Sequence, residues 1–263
     1  MATVNDILNF VESLAPQYMK EDWDNVGLLC GRRDKEVKKV LIALDPFLHV
    51  CREAAEVGAD LLLTHHPLIF SPLKAVTEDT EPGACALALI EHGIAAINAH
   101  TNLDLAPEGV NQVLAETLGL TRIEVLNPAG QDAQGRPYGL LHAGQVEPMP
   151  LDAFLPRVKE ALGTPVLRYA DGGRPVRYVA VGGGACGGGL YEAAEAGCDT
   201  FVTSDIKYNQ FWDAKYLGLT LIDAGHFYTE NPVCVLLAEK LKEAFPDLTV
   251  ELSRKHGDCM KFC

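Results

Sequence analysis

Apolar positions along the chain follow two periods, and the two alternate in a regular order. The opening "MATVNDILNFVESLAPQ" carries its apolar residues at helical spacing, which predicts an amphipathic helix around residues 4–13. Short aliphatic runs then recur: "VKKVLIALD", "DLLLT", "IAAIN", "TFVT" and "LTLID". Ala-, Leu- and Glu-rich stretches with helical periodicity separate them, as in "EAAEVG" and "PEGVNQVLAETLGL". Strands alternating with helices of about ten residues predict an α/β fold with mainly parallel sheets and right-handed crossovers.

The pattern also repeats. Residues 53–66, "EAAEVGADLLLTHH", and residues 192–205, "EAAEAGCDTFVTSD", share seven of fourteen positions at a constant offset of 139. A strand-like run precedes each copy, "VKKVLIALD" or "VRYVAVGGG". Downstream, "HGIAAINAH" parallels "LGLTLIDAGH", and the opening helix has a counterpart in "PLDAFLPRVKEALG". Any two strand–helix–strand units share an "EAAE", but five or six elements corresponding in order point to an internal duplication. Two similar α/β lobes are expected, roughly 1–126 and 127–263, joined by the turn-rich "NPAGQDAQGRPYG". Duplicated lobes can exchange elements, so the physical boundary need not match the sequence boundary.

Composition narrows the function classes. The net charge of −14 disfavours a broad phosphate-binding surface, and nucleic acid is not expected as a partner. A small anionic substrate such as a nucleotide needs a local positive feature, a metal or a helix N-terminus. No apolar run is long enough to span a membrane. The N-terminus lacks the basic segment and cleavage site of a signal peptide, so the cytoplasm is the expected compartment. Eight cysteines with no CxxC pair read as buried small hydrophobes in a reducing compartment, with Cys259 and Cys263 in a frayed tail.

Candidate chemistry lies at the strand ends. In parallel α/β sheets ligands bind beyond the carboxyl ends of the strands. "LLLTHHPLIF" ends a strand in His65 and His66, and Pro67 forbids its continuation. Two adjacent histidines would diverge on a regular strand and can converge only where the backbone turns. "NAHTNLD" supplies His100 and Asp104; "DAGHFYTE" supplies His226 and Glu230. Both have the form histidine, three residues, carboxylate, which puts the two groups on one face of a helical turn. Four imidazoles and two carboxylates exceed one open metal site and suit two divalent ions, with a carboxylate shared. Imidazole and carboxylate donors accept zinc, iron, manganese, nickel or cobalt. His49, His92, His142 and His256 read as ordinary surface or core histidines.

Together, "EDWDNVGLL", "LLLTHHPLIF", "NAHTNLD", "TSDIKYN" and "DAGHFYTE" resemble the Nif-three-like family, also called GTP cyclohydrolase 1 type 2. The similarity runs from about residue 5 to 250. It implies a homohexameric ring built from trimers and a dinuclear metal centre between the lobes of each subunit. It implies His65, His66, His100, Asp104, His226 and Glu230 as ligands, with Asp104 as the bridge. It also implies opening of the imidazole ring of GTP with release of formate. Relatives often carry Gly-Asp where this chain has Ser204-Asp205, and a histidine at Asn209.

Other residues have two readings each. Glu230 could shuttle protons. Lys207 and Tyr208 could stabilise developing negative charge, or Lys207 is a solvated helix-start lysine. Asp205, where the first copy has His66, falls on the substrate side of the pocket. In "DWDNVG", Asn25 reaches substrate, or the segment is a helix-to-strand connection with Trp23 buried. "VGGGACGGGLYEAAEAG" could cradle a phosphate or make a tight turn. Gly182, Gly184 and Gly187 match GxGxxG formally, so a dinucleotide-binding module is a third reading, beside a metal-binding scaffold without turnover.

Overall fold

The computed structural model describes residues 1–263. In chain order the main elements begin with α1 (Val4–Leu14), β1 (Gly27–Cys30), β2 (Lys39–Ala43), α2 (Leu48–Glu56), β3 (Leu61–Thr64), α3 (Glu81–Glu91), β4 (Ala95–Asn98) and α4 (Thr101–Leu105). Next come α5 (Val110–Thr117), β5 (Thr121–Leu126), β6 (Leu141–Met149), α6 (Leu151–Leu162), β7 (Arg168–Ala170), β8 (Val176–Val181) and α7 (Leu190–Glu195). The last are β9 (Thr200–Thr203), α8 (Tyr208–Leu217), β10 (Thr220–Asp223), α9 (His226–Glu230), α10 (Pro232–Ala244) and β11 (Thr249–Leu252).

The chain forms two compact units. One is Met1–Leu103 with Cys234–Asp258; the other is Asp104–Val233 with Cys259–Cys263. The division crosses α4 after Leu103. These units differ from a division at 126/127: residues 104–126 belong with the second unit and residues 234–258 with the first. The reason is a long-range pairing: β11 hydrogen-bonds in parallel to β2, Val250 opposite Val40.

In the first unit the sheet order is β11-β2-β3-β4-β1. The first four strands are parallel, and β1 closes the edge antiparallel to β4. The central strands are buried on both faces, which explains their unbroken aliphatic runs. Leu41, Ala43, Leu62 and Ala96 pack under α2 and α3 with Val50, Ala54, Cys85 and Leu89. Helix α1 forms as its periodicity predicts, burying Val4, Ile7, Leu8 and Val11 at positions i, i+3, i+4 and i+7. Thr3 and Asp6 close a capping box at its start, satisfying two otherwise orphaned backbone N–H groups.

In the second unit the order is β7-β10-β9-β8-β6-β5. Its parallel core is β8, β9 and β10, the same order as β2, β3 and β4. The flanking β7, β6 and β5 are antiparallel, so this sheet is more mixed than the repeat alone suggests. Short connections cause this: β6 pairs with β5 after a two-strand hairpin, Gly130–Gln131 with Pro137–Tyr138, formed within "NPAGQDAQGRPYG". The turn-rich segment expected as a linker thus lies inside the second unit. Alternation divides the core cleanly. Val179, Val181, Val202 and Ile222 pack under α5 and α6, while Ala180, Phe201 and Leu221 pack under α7 and α8.

Candidate metal centre

In the first unit the ends of β3 and β4 bring three imidazoles together. The backbone turns straight after Thr64, whose hydroxyl donates to the His66 carbonyl at 2.7 Å. The turn lets two neighbouring side chains converge where a strand would splay them. Ring centroids lie 5.0 Å apart for His65–His66, 5.3 Å for His65–His100 and 5.5 Å for His66–His100. Ligand atoms of all three fall within 4.8 Å of one another.

Each ring is held from behind. Nδ1 of His65 lies 2.8 Å from the Ala99 carbonyl oxygen. Nδ1 of His66 lies 2.6 Å from Asp45 Oδ1, and Nδ1 of His100 lies 2.8 Å from Asp24 Oδ1. Carbonyl and carboxylate oxygens only accept, so in each neutral ring Nδ1 carries the proton and Nε2 keeps its lone pair. Histidine ligands of metal ions are oriented in this way. Asp24 is buried and accepts from the Thr101 N–H at 3.0 Å and hydroxyl at 2.5 Å. Burial alone would raise its pKa, but the hydrogen bonds from His100 and Thr101 win and hold the carboxyl well below the usual aspartate range.

Asp104 sits in the short helix after His100, one residue beyond the division between units. It is buried, and its carbonyl accepts from Asn111 Nδ2 at 2.9 Å. In the second unit His226 and Glu230 lie one turn apart on α9, with Nε2 3.0 Å from Glu230 Oε2. Nδ1 of His226 lies 2.7 Å from Asp205 Oδ2. Asp205 stands just after β9 in a left-handed conformation, φ +54°, which aspartate tolerates better than most residues. The His226–Glu230 pair therefore repeats the arrangement of the first unit: an imidazole braced at Nδ1 and presented at Nε2.

The glycine loop supports this pair from beneath. A Cβ at Gly184 would stand 2.0 Å from Glu230 Oε1 and 3.2 Å from His226 Nε2, and Gly184 has φ +63°. Only glycine fits there. The loop's N–H groups are already engaged: Gly182 to the Val202 carbonyl, Gly183 to Asn111 Oδ1 and Gly184 to Thr229 Oγ1. Those three donors are turned into the protein rather than toward a phosphate. The next helix is only six residues long.

Lys207 and Tyr208, two further expected site residues, are exposed at the start of α8, where the Lys207 N–H donates to Gln210 Oε1. Asn25 donates from Nδ2 to the Ile69 carbonyl at 2.6 Å, tying its loop to the one after His66. Trp23 is exposed, not buried as one reading of "DWDNVG" had it. His92 donates to the Ala88 carbonyl on its own helix, and His256 accepts the Leu44 N–H. Asp24, Asp45 and Asn111 are the residues that sequence reasoning passed over. Asp45 had a readable signal, since "LIALD" ends a strand in an acid just as "LLLT" ends in histidines.

The donor set suits a metal: neutral imidazoles presenting lone pairs, buried carboxylates, and braced rings. The family model for Duf34/NIF3 (NGG1p interacting factor 3) matches residues 2–258. A Clostridium perfringens (strain 13 / Type A) protein called GTP cyclohydrolase 1 type 2 homolog is 36% identical over 264 residues, covering 98% of this chain and 99% of its own length. The crystal structure of a Staphylococcus aureus hypothetical protein superposes with a TM-score of 0.91 at 31% identity, over 99% of both chains. A Bacillus cereus protein related to NIF3 also gives 0.91, at 27% identity, over 100% of this chain and 99% of its own.

Proposed function

The chain belongs to the Duf34/NIF3 family, and from that premise we propose that it is a dinuclear-metal-dependent hydrolase. Relatives carry the name GTP cyclohydrolase 1 type 2 homolog, and the reaction we propose is opening of the imidazole ring of GTP with release of formate. The observation that carries the reading is the convergence of His65, His66 and His100, each braced at Nδ1.

In this reading His65, His66, His100, Asp104, His226 and Glu230 would hold two divalent ions. Zinc, iron, manganese, nickel and cobalt all suit such donors. Bound metal would lower the pKa of a water toward about 7 and polarise the attacked atom. The chain's own contribution is orientation and proton handling. Asp24, Asp45 and Asp205 keep the histidines in one tautomer. Glu230 is proposed to take the proton released by the attacking water and return it to the leaving nitrogen. Lys207 and Tyr208, on the exposed start of α8, are proposed to meet negative charge on the substrate. Asn25 acts as a brace for the substrate-side loop. The homohexameric ring and the cytoplasmic location belong to the same proposal; no helix is long and apolar enough to cross a membrane.

Elemental analysis of protein purified without an affinity tag tests the reading. About two ions per chain are expected, with a clear loss in Asp104→Ala and His65→Ala. Formate release from GTP is then the readout for turnover. Absence of stoichiometric metal after reconstitution would overturn the proposal. Stoichiometric metal without turnover would leave a metal-binding scaffold.

A further inference from the structure

Beside the three imidazoles the first unit exposes two large aromatic rings. Trp23 is 59% exposed and Phe70 is 54% exposed. Their ring centroids lie 5.7 Å apart with planes tilted by 57°. His100 meets both rings edge-on, at 6.1 Å from Trp23 and 6.4 Å from Phe70. An indole and a phenyl ring exposed to water, in contact with a candidate metal-binding histidine, form a stacking surface.

The wall is rigid at its base. Asp24, next to Trp23, is fixed by His100 and Thr101. Ile69, next to Phe70, is fixed through its carbonyl by Asn25. Two loops far apart in sequence are thus locked together before any ligand arrives, so little ordering cost remains for binding. Surrounding charge selects which part of a ligand fits. Glu21 and Asp22 are exposed beside Trp23 and would repel a phosphate chain. A planar uncharged ring has no such penalty.

We propose that Trp23 and Phe70 form a stacking site for a planar heteroaromatic ring, a purine base, whose edge is directed at the His65–His66–His100 cluster. The choice of a purine rests on the proposed hydrolase reading; the stacking surface itself does not. The base lies on the aromatic wall, and the phosphates leave the site away from Glu21 and Asp22. Ring recognition is therefore independent of the ions, and the base is presented edge-first to the place where they bind.

Trp23 and Trp212 are the two tryptophans of the chain, so a Trp212→Phe background leaves Trp23 as the sole indole reporter. Guanosine, which has no phosphate, should quench its fluorescence saturably, both in metal-loaded protein and after chelation. Inorganic tripolyphosphate should not. In the same background Phe70→Ala should weaken guanosine binding about ten- to a hundredfold, the worth of one base–aromatic stack, while Phe70→Tyr should restore it. With Trp23→Ala, equilibrium dialysis of guanosine should show the same order of loss at unchanged metal content. Guanosine binding that survives Trp23→Ala and Phe70→Ala would overturn the proposal. So would quenching that tracks protein concentration instead of ligand, which would make the wall a contact between copies. Metal content measured alongside separates this failure from failure of the hydrolase reading: stacking without metal refutes only the latter, metal without stacking only the former.

Discussion

The Asp24 carboxylate accepts the His100 Nδ1 proton at 2.8 Å and two further hydrogen bonds from Thr101. One buried acid thus sets both the tautomer of an imidazole and the start of the helix that carries Asp104. Asp24→Asn keeps the shape but lets the amide present a donor to Nδ1, which favours the wrong tautomer. Metal affinity should fall about ten- to a hundredfold. Competition against a chromophoric chelator measures it, and an unchanged affinity would show that the pair is only structural.

Gly184→Ala should damage both stability and the His226–Glu230 pair. The added methyl meets Glu230 Oε1 at 2.0 Å on a backbone with φ +63°. The expected cost is about 1–3 kcal/mol, with reduced metal content. Thermal unfolding and elemental analysis on one preparation read both effects. Gly188→Ala is the control, because a Cβ there meets nothing within 4 Å.

His142 lies fully buried on β6. Burial pushes its pKa down from 6.5 to about 4, outweighing the pull of the Asn111 backbone. Its folded pKa is lowered, so between those values the unfolded chain binds the extra proton and stability falls as the pH falls. Above about pH 6.5 the group contributes no pH dependence. The shift corresponds to about 3 kcal/mol lost by about pH 4. Urea unfolding at about pH 7 and about pH 5 should show this slope in the native chain and a shallower one in His142→Leu.

Thiol labelling should register two fast cysteines of eight. Cys259 and Cys263 are exposed; Cys51, Cys85, Cys198 and Cys234 are buried. Cys30 and Cys186 are half-buried, and burial raises the pKa of both, which slows them further. More than two fast thiols in the folded protein would show that the core opens more readily than its packing implies.

Much of the site was legible in the sequence because its residues stand at strand ends. Aliphatic runs stop where the ladder stops, so "LLLTHHP", "INAHTNLD" and "IDAGHFYTE" announce both the strand and the polar residues at its tip. The braces were not legible. Asp24 meets His100 across 76 positions and Asn25 meets Ile69 across 44. No local pattern links such residues, and a carboxylate in a turn looks the same whether or not a histidine faces it. "DWDNVG" drew attention to Asn25, whereas the geometry makes Asp24 the partner of His100.

The sequence by itself determined the alternation of strands and helices, the parallel core of each half and the positions of the candidate ligands. These arise from side-chain period and from backbone chemistry local to a few residues. Tertiary structure alone decided that Thr249–Leu252 closes the first sheet, that the glycine loop spends its donors on the protein, and that Trp23 stands in solvent beside His100. Those outcomes depend on which distant surfaces pack and which polar groups find partners. Hydrogen bonding and burial settle such choices only when the whole chain is in place.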